Sequence, residues 1–222
     1  MNGMLSKGVR PRIVGVDFDN TLVRHDKVLC RLARERGLGV CDAEVPKREL
    51  RDAIRGLADG EAIWQEIQAE MYGPRMDEAE LFPGAAAFIA GCRAKGVRLF
   101  IVSHKTETAR KAPRGVNLRH AALAFMRNRG FFGAEGLGLT EDMVFFESTR
   151  REKLARIASL GCSVFVDDLE ETFLEPAFPA GVEKVLFCAA PPGTAGNGIV
   201  HFTAWEDIAA YLLGGGASHE SG

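Results

Sequence analysis

Two short runs, VRLFIV (Val97–Val102) and CSVFV (Cys162–Val166), are apolar almost without a break. A strand with one face in water alternates apolar and polar residues. Near-continuous runs like these suit strands buried on both faces, as in a parallel sheet covered by helices. Further strand candidates are Arg12–Val16, Met143–Phe146 and Lys184–Cys188, with strands over Val97–Val102 and Ser163–Val166 completing the set. Helical patterns fall between them, over Gly84–Ala94, Leu118–Arg129, Glu152–Leu160 and Ala204–Leu212. Strands alternating with helices predict βαβ units and an α/β fold, a doubly wound, Rossmann-like parallel sheet. Ligands of such sheets sit beyond the carboxyl ends of the strands.

From Arg24 to Leu81 the rhythm breaks, and helical stripes appear without a strand. Leu50, Ala53, Ile54 and Leu57 form one stripe; Ile63, Ile67 and Met71 form another, with Trp64 beside it. Val28, Leu29, Leu32 and Ala33 suggest a third. Pro46, Gly60 and the Gly73–Pro74 pair punctuate them. The expected organisation is a core over 1–23 and 82–213, a small all-helical domain over 24–81, and a disordered tail over 214–222. The stretch APPGTAGNG (Ala190–Gly198) reads as a surface loop. Glycine-rich GFFGAEGLGL (Gly130–Leu139) reads as a loop rather than a nucleotide cradle, since it lacks the G-x-G-x-x-G spacing and follows a helix.

A chain of 222 residues can bury a sizeable core without disulfide or metal staples. Its 28 basic and 30 acidic residues balance to −2, which argues against a nucleic-acid partner. No apolar run reaches the ~18 residues of a membrane span, and the first residues lack the apolar segment of a signal peptide, so no membrane partner is expected and the cytoplasm is the expected location. The five cysteines are scattered without C-x-x-C spacing, which favours reduced thiols over a zinc site or disulfides. Nothing in the sequence speaks to the oligomeric state.

Two strand candidates end in acids. The first, within IVGVDFDNTLV, ends at Asp17 and Asp19; another, VFVDD, ends at Asp167 and Asp168. A third, VRLFIV, leads into Ser103. Taken singly, such acids serve equally well as turn residues or helix caps. In a parallel sheet, however, all three ends share one edge, and carboxylates crowded there repel one another. A bound Mg²⁺, which takes carboxylate, water and phosphate oxygens, relieves that repulsion.

DFDNT (Asp17–Thr21) resembles the first motif, D-x-D-x-[TV], of the haloacid-dehalogenase-like hydrolase superfamily. Ser103 after an apolar strand is similar to the second motif, Lys153 to the third, and VFVDD to the fourth, in family order over most of the chain. The resemblance implies a Mg²⁺-dependent phosphatase acting on a small phosphorylated metabolite, with the helical insert as a cap. It implies Asp17 as nucleophile and metal ligand, Asp19 as general acid and base, Ser103 and Lys153 as phosphoryl contacts, and Mg²⁺ held also by the Asp19 backbone carbonyl, Asp167 and Asp168. An acid at Asp19 suits phosphate esters, whose alkoxide leaving group needs a proton; relatives that cleave carbon–halogen bonds generally lack it. A phosphotransferase or phosphomutase shares the first half-reaction, and a non-catalytic binding domain is the alternative from another class.

Lys153 follows a T-x-x-E capping box at Thr149–Glu152, which places it in a first helical turn, with Arg150 and Arg151 as alternative cations. Thr21, Arg24 and His25 leave the first motif and are candidate substrate contacts. The basic stretch Ser103–His120 supplies His104, Lys105 and Arg110 as further candidates, against the alternative of a solvated basic face.

Overall fold

A computed structural model describes residues 12–39, 47–109, 111, 116–189 and 198–214. The expected loop at Ala190–Gly198 and the expected tail over 214–222 lie, apart from Gly198 and Gly214, outside the described residues, as does Arg110.

Strand β1 (Ile13–Val16) is followed by the two-residue β2 (Val23–Arg24), helices α1 (Asp26–Glu35), α2 (Lys47–Arg55) and α3 (Gly60–Met71), and the short β3 (Glu80–Leu81). Then come α4 (Ala85–Ala94), β4 (Arg98–His104), α5 (Leu118–Asn128), β5 (Val144–Glu147), α6 (Arg150–Ser159) and β6 (Val164–Asp167). The chain continues through α7 (Glu170–Leu174), β7 (Glu183–Phe187), β8 (Ile199–Phe202) and α8 (Trp205–Leu213). Six strands form one parallel sheet in the order β5-β4-β1-β6-β7-β8. This is the α/β, Rossmann-like architecture that the apolar runs predict.

Alternation along the central strands explains those runs. Val14, Val16, Leu99, Ile101, Val164 and Val166 join one apolar cluster, while Phe100, Val102 and Phe165 join a second on the opposite face. Side chains of a strand point to opposite faces in turn, so a sheet covered on both sides needs apolar residues at every position. The first cluster holds Phe88 and Ile89 of α4, Phe125 and Met126 of α5, and Trp205 and Ile208 of α8. The second holds Leu154 and Ile157 of α6 and Phe173 of α7. Gly15 interrupts the apolar run for a steric reason: a Cβ there would lie 2.5 Å from the Phe165 ring and 3.0 Å from Cys162 Sγ.

The described elements between β2 and β3 are helices, as the stripes predict. Val28, Leu29, Leu32 and Ala33 of α1, Leu50 and Ile54 of α2, and Trp64, Ile67 and Met71 of α3 are buried and continuous with the first cluster. Ala53, expected on the α2 stripe, is exposed instead. Antiparallel pairing of β2 with β3 closes the segment at its base, matching Val23 to Leu81 and Arg24 to Glu80. Glu80 there accepts from Arg24 and from Lys27, each at 2.7 Å.

Three features lie beyond the sequence reading: the β2–β3 pair, the edge strand β8 and the five-residue α7. Among the described cysteines one departs from it, and Cys41 lies outside the described residues. Cys92, Cys162 and Cys188 are free thiols, whereas Cys30 of α1 is disulfide-bonded, contrary to the expectation that all five are reduced. No spacing signal in the sequence marks that bond. No helix among the described residues is long and apolar enough to cross a membrane.

Candidate active site

Register brings the strand ends together. Val16 is level with Ile101 of β4 and Val166 of β6, so Asp17 emerges between those strands and beside Asp167. The Asp17 amide still donates to Val166 O at 2.9 Å, which carries the ladder one residue past β1. Beyond it the chain turns sharply. Asn20 adopts a left-handed conformation at φ 63, which asparagine tolerates better than most residues. Leu22 and Val23 amides return to Phe18 O at 3.0 Å. Trp205 of α8 pins the turn from below, donating its indole N–H to Thr21 O at 3.0 Å.

Lys153 stands at the centre of the acid cluster. Its ammonium donates to Asp17 Oδ1 at 2.6 Å and to Asp167 Oδ2 at 2.7 Å. The predicted capping box places it there: Glu152 N donates to Thr149 Oγ1 at 3.1 Å and Thr149 N to Glu152 Oε2 at 2.9 Å. A cation in a first helical turn opposes the helix dipole, and the two carboxylates offset that cost. Burial works against the charge on Lys153, but Asp167 and Asp17 override it and hold the ammonium above its usual range. Arg150, a sequence alternative, pairs instead with Glu175 at 2.8 Å.

Asp17, Asp167 and Asp168 bring carboxylate oxygens within 4.8 Å of one another. Thr21 Oγ1 donates to Asp168 Oδ1 at 3.2 Å, and the Leu169 amide to Asp167 Oδ1 at 3.0 Å. Burial pushes the Asp17 carboxyl up to about 7; Lys153 counteracts this and Asp167 adds to it. Three carboxyl groups face one ammonium, two of them buried and Asp168 partly exposed. All-oxygen donors of this kind suit a hard divalent cation.

Asp19 is held differently. Lys105 Nζ lies 2.6 Å from Asp19 Oδ2, and His25 Nε2 lies 3.0 Å from Oδ1. Burial alone would raise this carboxyl, but the Lys105 charge and the His25 hydrogen bond hold it well below the usual carboxylate range. Tyr72, at the end of α3, packs over both partners: its ring centroid lies 4.9 Å from that of His25 and 4.7 Å from Lys105 Nζ. Burial, reinforced by the Asp19 charge, holds the Tyr72 phenol above its usual range. Tyr72 was not singled out in the sequence. Its position just before the Gly73–Pro74 break, where a helix ends and turns back, was the available signal.

Of the other sequence candidates, Ser103 is buried near the end of β4, paired in register with Phe146. Thr21 joins the acid cluster. His104 is exposed, with its ring 3.0 Å from Ser148 O, and Arg24 forms its ion pair with Glu80. Lys105 Nζ and His25 Nε2 both meet the Asp19 carboxylate.

This sheet order and helical insert are similar in fold to solved structures described as haloacid-dehalogenase-like hydrolases. No protein-family model matches the sequence, and no curated protein matches it; the likeness is one of structure. A hydrolase of this family from Deinococcus radiodurans R1, solved with bound phosphate and sodium, is 17% identical, with a TM-score of 0.53 over 91% of this chain and 95% of that one. A predicted phosphoglycolate phosphatase from Haemophilus somnus 129PT is 14% identical, with a TM-score of 0.55 over 90% and 97%. A structure described as a dehalogenase is 15% identical, with a TM-score of 0.53 over 92% and 98%.

Proposed function

We propose that this chain is a haloacid-dehalogenase-like phosphatase that hydrolyses the phosphate monoester of a small metabolite. The observation that carries the reading is the second carboxylate, Asp19, two residues past Asp17 and held by Lys105 and His25 beside the acid cluster. A halide leaves without a proton, whereas an alkoxide requires one, so a second placed carboxylate favours phosphate esters over dehalogenation. Phosphate in the Deinococcus structure supports the same class of substrate.

Asp17 attacks phosphorus: an Asp17 oxygen–phosphorus bond forms and the ester oxygen–phosphorus bond breaks. Lys153, touching Asp17 and Asp167, keeps the nucleophile oriented and offsets the phosphoryl charge. The phosphate dianion brings negative charge towards Asp19 and raises its proton affinity, which lets it carry the proton taken by the leaving alkoxide. Asp19, again ionised, then removes a proton from the water that hydrolyses the acyl phosphate. Ser103 hydrogen-bonds a phosphoryl oxygen. Asp17, Asp167 and Asp168 would hold Mg²⁺, whose contribution is to neutralise charge between the nucleophile and the phosphate. Residues 24–81 act as a cap that keeps water away during the first displacement.

Phosphate release from a panel of phosphorylated metabolites, with Mg²⁺ and after chelation, tests this. Release that requires Mg²⁺ and disappears in Asp17→Asn is expected. Halide release without phosphate release would overturn it. Transfer of the phosphoryl group to a sugar hydroxyl in place of water would redefine the enzyme as a phosphotransferase.

A further inference from the structure

We propose that Lys105 and His25 are positioning residues for Asp19: between them they fix the orientation of its carboxylate, and neither binds substrate. The inference rests on the reading of Asp19 as proton donor and acceptor given above.

The two partners divide the carboxylate between them. Lys105 Nζ takes Oδ2 at 2.6 Å and His25 Nε2 takes Oδ1 at 3.0 Å. A carboxylate bound through one oxygen can still swing about its terminal torsion, which is broad and soft. Bound through both oxygens from two sides, it has one orientation, with lone pairs left to face a reacting oxygen. Geometry within about 0.5 Å is what proton transfer demands.

Neither partner is placed to contact substrate itself. His25 is fully buried and Lys105 is 4% exposed. The Lys105 ammonium sits against the rings of Tyr72 at 4.7 Å and Phe18 at 5.8 Å. Their backbones are pinned as well. Lys105 N donates to Glu147 O at 2.8 Å, and its own carbonyl accepts from Arg119 Nε at 2.9 Å. His25 is the N-cap of α1, where its carbonyl accepts from Leu29 N at 2.9 Å. One partner therefore comes from the end of β4 and the other from the first helix of the insert. Tyr72, from the last helix of the insert, fills the gap between them. The insert thus contributes to the orientation of a core carboxylate through packing and one hydrogen bond.

The test uses two esters that differ in their need for a proton. An alkyl phosphate expels a basic alkoxide; p-nitrophenyl phosphate expels a stable phenolate. In kcat/KM, which reports the ester-cleaving half-reaction, Lys105→Met and His25→Leu should lose more on the alkyl ester. The aryl-to-alkyl ratio should rise about tenfold or more, within the range attributable to acid catalysis. His25→Gln, which restores an N–H donor, should recover part of the loss. Equal losses on both esters, or a raised KM with unchanged kcat, would overturn the proposal, because a phosphate contact or a general structural role affects both esters alike. A crystal structure of Lys105→Met decides the same point without turnover: the Asp19 carboxylate is expected in a new or second orientation, and an unchanged single orientation would overturn the proposal. If the wild type cleaves neither ester, the phosphatase reading fails, and the crystallographic result still decides the positioning claim.

Discussion

At the scale of single residues, the site places an ionisable group where burial opposes its charge. Asp17 has its carboxyl pushed from its ordinary 3.8 up to about 7, by burial first and by Asp167 next. A raised carboxyl stabilises the fold while it is protonated. Its contribution is complete below pH 3.8 and is lost as the pH rises through about 7. Metal-free Asp17→Asn, which stays neutral throughout, should therefore gain roughly 1–3 kcal/mol relative to the wild type between pH 5 and pH 8. Thermal melts of both proteins at both values measure this, and a stability difference that does not move towards the variant as the pH rises would contradict the assigned environment. Not every residue at this edge was equally legible. The D-x-D spacing and the VFVDD strand end identified Asp17, Asp19, Asp167 and Asp168 from the sequence. The sequence also marked Lys105 and His25 as candidate substrate contacts, without revealing their contact with Asp19. Their partner, Asp19, is distant from Lys105 in the chain, and no local pattern encodes a contact made across the sheet and the insert.

At the scale of elements, legibility follows how strongly each element is buried and capped. The central strands declared themselves because two covered faces leave no room for polar residues. Helix α6 declared its start through Thr149 and Glu152, and both reciprocal bonds are present. Strand β8 (IVHF) is half-buried at the sheet edge with His201 interrupting its apolar run, and α7 spans only five residues, too few to show a helical period. The β2–β3 pair is two residues on each side and is set by tertiary closure of the insert. Because the capping box fixes the first turn that carries Lys153, Thr149→Ala should cost about 1 kcal/mol of stability. It should also reduce phosphate release by more than that loss of folded protein explains, as Lys153 shifts from Asp17 and Asp167. Denaturant melts beside rate measurements check both; unaltered activity at the lower stability would show that the cap and the lysine are independent.

At the scale of the whole molecule, a parallel sheet supplies one edge and a helical insert packs against it. The edge carries Asp17, Asp167 and Asp168 around Lys153, while residues of the insert reach down to Asp19 through His25 and to Lys105 through Tyr72. The division into sheet and helices was legible in the sequence as a change of hydrophobic period; the way the insert grips the site was not, because it depends on how two separately patterned regions pack. The central claim is that Asp17 forms a bond to phosphorus. Acid-quenching the enzyme during turnover with Mg²⁺ and a cleavable phosphate ester, then mapping the modified peptide by mass spectrometry, tests it most directly. The account predicts a phosphoryl group on the peptide bearing Asp17, absent from the inactive Asp17→Asn protein. A phosphoryl group on another residue, or undiminished turnover by Asp17→Asn, would contradict it.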